Sequence, residues 1–213
     1  ARNQIEISDY SFPTVETLTA AQEGEIKIDE ANAWLTLSAA GFDVTFNKSN
    51  GWIDYIDLDG KQITKNRTSM KSDFWRAPTD NDFGANLQRN MSAWKNPNMR
   101  MTSFNRTEEN GNQVVTVVYQ MNSVRSLLTL KYTMTPDGKL IVNQSIKKAE
   151  GESEVPNMFR FGMTLTMQEE YNTIEYYGRG PIENYSDRNS SEWIGVYNQS
   201  VESQYYPYIR PQE

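Results

Sequence analysis

Three short runs decide the fold of this chain: Trp34-Leu35-Thr36-Leu37-Ser38, Phe42-Asp43-Val44-Thr45-Phe46 and Ile53-Asp54-Tyr55-Ile56-Asp57-Leu58. Apolar and polar residues alternate in these runs, which places the apolar side chains on one face of an extended strand. Gly41 and the pair Asn50-Gly51 separate the runs and favour turns. The stretch therefore predicts three consecutive antiparallel strands.

The same pattern continues over most of the chain. Further strands are predicted where β-branched and aromatic residues dominate, at 114–121, 127–134, 140–146, 159–167 and 173–177. Asn or Asp followed by Gly at 59–60, 110–111 and 137–138 predicts hairpin turns, because these residues tolerate positive φ angles. Only residues 86–95 have apolar side chains at helical spacing, and Pro97 is expected to end that helix. The sequence predicts an all-β antiparallel sandwich with one short helical excursion.

The composition excludes several classes of function. The chain has 213 residues, with 28 acidic against 21 basic residues and a net charge of −7, and no basic run that would bind a nucleic-acid backbone. No apolar segment approaches the roughly 18 residues that span a bilayer. Because the chain has no cysteine and no histidine, thiolate chemistry, Ser-His-Asp catalysis and ordinary zinc sites are impossible within it. Any chemistry here must use carboxylates, Tyr, Lys or Arg.

Two segments concentrate polar groups in Gly- and Pro-containing loops. The first polar loop is Phe74-Trp75-Arg76-Ala77-Pro78-Thr79-Asp80-Asn81-Asp82-Phe83-Gly84, and the second is Tyr177-Gly178-Arg179-Gly180-Pro181-Ile182-Glu183-Asn184-Tyr185-Ser186-Asp187-Arg188. Their polar and aromatic side chains are the candidate sugar-facing or domain-interface residues. These are Trp75, Arg76, Asp80, Asn81, Asp82, Arg179, Glu183, Asn184, Tyr185, Asp187 and Arg188.

The first polar loop allows two interpretations. Arg76 has two carboxylates within six residues, and a guanidinium binds a carboxylate bidentately when a loop folds back. In the first interpretation these groups form a buried ion-pair network that holds the loop in one conformation. In the second they form a patch that faces a sugar or another domain, and Trp75 stacks on a sugar ring. A calcium site of the EF-hand type is rejected, because Gly84 falls one place early and Met91 occupies the place of the bidentate Glu.

The second polar loop carries no hydrolytic signature of its own. Glu183 and Asp187 lie four residues apart, but close acidic pairs are common in a chain with 28 acidic residues, so we do not interpret them as a glycosidase pair. The glycines around Arg179 do not have the spacing of a nucleotide-binding loop. No catalytic residue and no metal ligand is therefore predicted in this chain.

Together the two loops resemble a known family. The order F-W-R-A-P-x-D-N-D-x-G followed by G-x-G-P-x-E-N-Y-x-D-R is similar to the C-terminal β-sandwich domain, or small chain, of the large β-galactosidases of glycoside hydrolase family two. The resemblance implies a galactose-mutarotase-like supersandwich. It also implies that residues 1–24 are the end of a preceding immunoglobulin-like domain plus a linker, and that residues 25–213 are the sandwich domain, incomplete at its C-terminus.

The resemblance further implies a role for the chain. In this family the catalytic glutamates lie on an upstream barrel, so the chain is expected to be an inactive part of a retaining β-galactosidase, which hydrolyses terminal β-galactosides. Its expected partners are the barrel of the same polypeptide, the β-galactoside substrate of the intact enzyme, and further copies in a homo-oligomer. No cofactor is expected within the chain, whereas sites for divalent and monovalent cations are compatible with the intact enzyme. A cytoplasm and a periplasm fit the sequence equally well.

Two rival functions follow from the same residues. A free-standing mutarotase would share the fold, but such enzymes use histidine as a general acid, and this chain has none. A detached carbohydrate-binding module would need no catalytic residue, so the composition does not argue against it.

Overall fold

The computed structural model describes residues 14–20, 23–66, 68–152, 155–182, 184 and 190–205. These residues form two compact units. The sandwich unit takes its described residues from Thr14 to Gln168, and the hairpin unit from Glu169 to Tyr205. Residues 1–13 lie outside the described part of the chain, so the predicted boundary at residue 24 stays a prediction.

The sandwich unit contains two antiparallel meanders. The first sheet pairs its strands in chain order. It consists of β1 (Lys27–Glu30), β2 (Trp34–Ala39), β3 (Phe42–Asn47), β4 (Ile53–Leu58) and β5 (Lys61–Gln62). A three-residue strand, β6 (Lys71–Asp73), follows. The second sheet consists of β7 (Met99–Glu109), β8 (Asn112–Met121), β9 (Ser126–Met134) and β10 (Leu140–Lys148), also paired in chain order. The short strand β11 (Gly162–Thr164) pairs with β6.

The core of the sandwich unit lies between the two meanders. Alternate residues of β2 and β3 are buried, and burial alternates in β8 and β9 except at the start of β8 and the end of β9, where consecutive residues are buried. Phe46 of β3 meets Tyr132 of β9 edge to face, with ring centroids 5.1 Å apart. Trp52 stacks on Tyr119 of β8 at 4.4 Å. These contacts join the two sheets through one apolar core, and the predicted all-β antiparallel sandwich is confirmed.

The predicted hairpin turns lie where Asn-Gly and Asp-Gly pairs occur. Asn110 and Gly111 adopt φ angles of 53° and 79° between β7 and β8. Asp59 and Gly60 adopt 50° and 74° between β4 and β5. Between β9 and β10 the turn is longer, and Thr135 N–H donates to Lys139 O across it. Both Asn and Gly tolerate these left-handed angles, which explains why the pairs end the strands.

The helical excursion is more broken than the predicted helix over 86–95. After a short helix α1 (Val15–Leu18), the described chain has α2 (Asp80–Gly84), α3 (Leu87–Asn90) and a 3₁₀ turn at Ser92–Lys95. Asn86, with a φ of 58°, separates α2 from α3, and Met91, with a φ of −104° and a ψ of 9°, ends α3 inside the predicted range. The prediction of one continuous helix was therefore wrong, although helical structure does occupy this segment and begins earlier than predicted.

Strand prediction also failed at several places. The segment 159–167 forms a strand only over β11, because its partner β6 has only three residues with which to pair. Strands β1, β5, β6 and β7 were not predicted. In β7 the ladder shifts register between Met101 and Ser103, so the apolar alternation changes phase in mid-strand. A bulge of this kind hides a strand from a period-two search.

The described residues of the hairpin unit form a two-stranded ribbon. It pairs β12 (Thr173–Gly180) with β13 (Trp193–Ser200), and a 3₁₀ turn over Glu202–Gln204 follows. Tyr176 lies directly opposite Tyr197, and their rings stack at 5.5 Å. Strand β13 was not predicted, because apolar residues occupy both of its faces and alternation is lost.

Candidate functional site: two polar loops

Arg76 and Asp82 form the centre of the first polar loop. Arg76 donates from its two terminal nitrogens to the two oxygens of Asp82, at 2.6 and 3.2 Å. It also donates to the carbonyl of Ala77 at 3.0 Å. The Arg76 and Asp82 side chains are only 22% and 8% exposed. The bidentate pair expected from the sequence is formed, and the partner is Asp82.

Thr79 links this ion pair to helix α2. Its backbone N–H donates to Asp82 Oδ2 at 2.7 Å, its hydroxyl donates to the same oxygen at 3.1 Å, and the Asp82 N–H returns a bond to that hydroxyl. This reciprocal capping box explains why α2 begins directly after Thr79. Burial alone would raise the pKa of Asp82, but the bonds from Arg76 and Thr79 outweigh it and hold the pKa below its usual range.

Aromatic contacts fix the first polar loop from the segment before β11. Phe159 meets Trp75 edge to face at 5.1 Å, and the Arg76 guanidinium lies 4.7 Å from the Phe159 ring centre. Lys95 Nζ lies 5.8 Å from the Trp75 ring centre. Sequence analysis missed Phe159 and Lys95, since no local signal connects residues so far apart along the chain. The pairing of β11 with β6 brings Phe159 near the loop.

The remaining candidates of the first polar loop lie at its surface. Asp80 and Asn81 are exposed in the first turn of α2, and Trp75 is half-buried. Phe74, by contrast, is buried and meets Trp94 at 5.2 Å. The loop thus directs one aromatic side chain into the core and leaves a second half-exposed. A sugar-facing role for Trp75, Asp80 and Asn81 stays a prediction.

The second polar loop belongs to the hairpin unit. Arg179, on β12, is exposed and donates to the carbonyl of Glu192 at 3.2 Å. Asn184 is also exposed. The Pro181 carbonyl accepts from Gln199 Nε2 at 2.6 Å. The remaining candidates of this loop lie outside the described residues: Glu183, Tyr185, Asp187 and Arg188.

A cavity of about 270 Å³ lies beside the second polar loop. Arg179, Pro181 and Asn184 line it, together with Ser203 and Gln204 from the 3₁₀ turn. The cavity is open to solvent, and Tyr176 and Ile182 add apolar surface to its lining. The described residues therefore place Arg179 and Asn184 at one cavity.

In the part of the chain that the structure describes, no cluster of three or more acidic side chains could hold a metal ion. No helix among those residues is long and apolar enough to cross a bilayer. Asp57 has a pKa above its usual range, because burial and the facing Asp43 both disfavour its charge.

The chain is similar to known β-galactosidases. It is 30% identical over 214 residues to "Beta-galactosidase" of Streptococcus thermophilus, covering 99% of this chain and 20% of that protein. It is 29% identical over 190 residues to "Beta-galactosidase" of Priestia megaterium, covering 88% and 18%. For "Beta-galactosidase" of Lactobacillus delbrueckii subsp. bulgaricus the values are 28%, 97% and 21%. The chain thus spans about a fifth of the length of these relatives.

A family model described as "Beta galactosidase small chain" matches residues 38–213. The match includes both polar loops and all the strands from β3 onward. The predicted resemblance is confirmed, and the chain belongs to the β-galactosidase small-chain family.

Proposed function

We propose that this chain is the non-catalytic sandwich domain of a retaining β-galactosidase, supporting a catalytic barrel in the same polypeptide. The relatives that it matches are named β-galactosidases and are about five times longer. The intact enzyme would hydrolyse terminal non-reducing β-galactosides. This chain would supply scaffold and contact surface, and the reacting carboxylates would come from elsewhere.

The hydrogen bonds that the Asp82 carboxylate accepts within the chain support this proposal. Among the described residues, Asp82 is the only buried carboxylate. A glycosidase needs a protonated acid and a second carboxylate about 5 to 9.5 Å away. Asp82 instead accepts from Arg76 and Thr79 and has a lowered pKa, so it is held ionised. A carboxylate fixed in this way stabilises a loop and is a poor general acid.

A chimera tests the proposal directly. The segment of the Streptococcus thermophilus β-galactosidase that matches this chain would be replaced by residues 1–213, and turnover of a nitrophenyl β-galactoside would be measured. We expect the chimera to be active. The isolated chain should be inactive, and so should the Streptococcus thermophilus β-galactosidase when it is truncated just before the matching segment.

Two results would contradict the proposal. The first is turnover by the isolated chain that survives repurification. The second is a folded chimera of wild-type melting temperature that shows no more activity than the truncated relative. A matched chimera carrying Arg76→Ala serves as the control for folding, because it removes the loop anchor and leaves every barrel residue in place.

A further inference from the structure

The first sheet turns one of its faces away from the apolar core. Buried residues alternate along β2 and β3 with residues that are half-buried or exposed, so every second side chain lies on this outer face. The antiparallel register then aligns the side chains of β2, β3 and β4 in rows across the sheet. The outer face includes Trp34, Thr36, Asp43, Thr45, Tyr55 and Asp57.

Two carboxylates face each other on this outer face. Asp43 of β3 lies directly opposite Asp57 of β4, and side chains in such positions have Cβ atoms roughly 4.5–5.5 Å apart. Both residues are half-buried, and the charge of Asp43 helps to raise the pKa of Asp57. Like charges directly opposite each other destabilise a sheet. A cation between the two carboxylates would remove this repulsion.

The described residues do not supply that cation. Neither Asp43 nor Asp57 has an ion-pair or hydrogen-bond partner among them. Lys27 of β1 lies in the same row, opposite Ser38, which in turn lies opposite Asp43. Two strand spacings, roughly 9.5 Å, therefore separate the backbone of Lys27 from that of Asp43. On the outer face of the second sheet, by contrast, Lys131 does meet a carboxylate, at 2.9 Å.

Neighbouring polar groups of the first sheet are satisfied within the chain. The hydroxyls of Thr36 and Thr45 form a hydrogen bond of 2.9 Å. Asn47 Nδ2 donates to Asp54 Oδ2 at 3.0 Å, and the Ser69 hydroxyl donates to Asp54 Oδ1. The unmet charge on this face is therefore concentrated at the row of Asp43.

An aromatic pair lies beside the two carboxylates. The rings of Trp34 and Tyr55 have centroids 6.1 Å apart and planes tilted by 47°. Trp34 is 37% exposed, and Tyr55 is half-buried. Tyr55 and Asp57 are two residues apart on one face of β4, which separates the rings from the carboxylates by roughly 6.5 Å along the strand. Aromatic faces attract guanidinium and ammonium groups.

This spacing matches an extended segment with basic residues at alternate positions. Same-face side chains of such a segment are also roughly 6.5 Å apart. One basic side chain would lie between Asp43 and Asp57, and the next would lie against the rings of Trp34 and Tyr55. A guanidinium would suit both places, because it binds carboxylates bidentately and stacks on aromatic faces.

The two carboxylates argue against other ligand classes. A neutral sugar would stack on the rings but leave the repulsion between Asp43 and Asp57 in place. A nucleic acid would be repelled by both. Calcium takes 6–8 oxygen ligands, and the described residues contain no group of three acidic side chains that could hold a metal ion.

The remaining part of the enzyme is the best source of such a segment. The chain spans about a fifth of the length of its relatives, so about four fifths of such a polypeptide lies outside it. Exposed ion pairs are individually weak, and a free basic peptide should bind with a Kd near 1 mM or above. A segment of the same polypeptide has an effective concentration in the millimolar range, which is enough to form the same contact.

We propose that the outer face of the first sheet, centred on Asp43, Asp57, Trp34 and Tyr55, docks a basic extended segment from the remaining part of the β-galactosidase polypeptide. Only the origin of the segment rests on the proposed function. The preference of this face for a basic partner does not.

Titration of the full chain by ¹⁵N NMR tests the preference for a basic partner. The probes are a capped pentapeptide of alternating arginine and threonine, the same peptide with glutamate in place of arginine, and lactose. The basic peptide should cause saturable shifts of the backbone amides of Asp43, Tyr55 and Asp57, and the other two probes should not. No saturable shift with the basic peptide up to roughly 20 mM, or equal shifts with lactose or the acidic peptide, would overturn the proposal.

Paired substitutions assign the binding to the two carboxylates. Asp43→Asn combined with Asp57→Asn should raise the Kd of the basic peptide about 5-fold or more, the equivalent of two exposed ion pairs. The matched control is Glu169→Gln combined with Glu170→Gln, which removes the same charge from two exposed neighbours in the hairpin unit. An equal loss in this control would reduce the effect to net charge and overturn the assignment to this face.

A charge reversal gives a readout that a loss of folding cannot imitate. Asp43→Lys combined with Asp57→Lys keeps two like charges opposite each other, so the melting temperature should stay close to that of the wild type. The variant should bind the acidic peptide and no longer the basic one. A folded variant that still prefers the basic peptide would contradict the proposal.

Carboxylate labelling of the full-length protein that contains this chain tests the origin of the segment. Glycinamide coupled by a carbodiimide should label Asp43 and Asp57 in the isolated chain, and several-fold less in the full-length protein. Turnover of a nitrophenyl β-galactoside is measured on the same preparation. An active enzyme with both carboxylates fully labelled would overturn the docking and leave the proposed function standing. Protected carboxylates in an inactive full-length protein would support the docking and contradict the proposed function.

Discussion

The sandwich unit and the hairpin unit differ in how far their apolar side chains are buried. In the sandwich unit Leu128 and Leu130 of β9 are fully buried between two sheets. In the hairpin unit Trp193 is 51% exposed and Val196 is 65% exposed. Among the described residues the ribbon lacks a second layer, and isolated ribbons are marginally stable in water. We therefore expect the free energy of unfolding of this chain to reside mainly in the sandwich unit, while the ribbon exposes apolar side chains.

Matched truncations of apolar side chains should show this difference most strongly. Leu130→Ala should lower the free energy of unfolding by about 2–5 kcal/mol, because it opens a cavity between the sheets. Ile194→Ala, at a side chain already 36% exposed, should change it by no more than about 0.5 kcal/mol. Urea unfolding followed by tryptophan fluorescence measures both values. Equal losses would mean that the ribbon shares the core of the sandwich.

The two loop arginines extend the comparison from apolar to charged groups. Arg76→Ala should cost roughly 3 kcal/mol, because it leaves the Asp82 charge buried without its partner. Arg76→Lys should lie between it and the wild type, since an ammonium cannot reproduce the bidentate geometry. Arg179→Ala is the control from the second polar loop, where one exposed bond to Glu192 is lost, and it should cost about 0.5 kcal/mol or less.

Thermal unfolding of these three variants separates the two interpretations of the first polar loop. A variant Arg76→Ala that melts like the wild type but loses sugar binding would overturn the structural role of the ion pair. It would support the interpretation of the loop as a surface that faces a sugar.

The sequence predicted this fold well where local rules act alone. Alternation located β2, β3 and β4, and the Asn110-Gly111 pair located a turn, because both signals depend on neighbouring residues. Strand β7 was missed because its bulge shifts the apolar phase. The Arg76–Asp82 pair was within reach of prediction at a spacing of six residues. The Phe159 contact was not, because it depends on how β11 pairs with β6.

Acid should weaken the sandwich unit partly through Asp82. The pKa of Asp82 is lower in the folded chain than the usual value near 3.9, so its ion pair contributes stability above about pH 4. This contribution is lost as the pH falls through the folded pKa. Asp82→Asn should therefore flatten the fall in stability at acid pH. Urea unfolding at pH values from about 2 to 7 measures the slopes.

Part of the acid slope should remain in Asp82→Asn. Glu30 and Asp137 also have lowered pKa values, through hydrogen bonds from Lys48 and Lys139 respectively. An unchanged slope in Asp82→Asn would contradict the role of the Asp82 carboxylate in the acid sensitivity of the sandwich unit.

Two buried tyrosines of the sandwich unit give the smallest and sharpest contrast. Burial raises the pKa of both Tyr119 and Tyr132, so both hydroxyls stay protonated. Tyr119 donates to the carbonyl of Asn50 at 2.8 Å, and Tyr119→Phe should cost about 1 kcal/mol. The Tyr132 hydroxyl is buried and has no partner among the described residues. On folding it loses its hydrogen bonds to water and gains none, and Tyr132→Phe removes this cost. Its stability should be unchanged or higher by up to about 1 kcal/mol. A loss in Tyr132→Phe as large as in Tyr119→Phe would show that a partner, such as a buried water, does reach the Tyr132 hydroxyl.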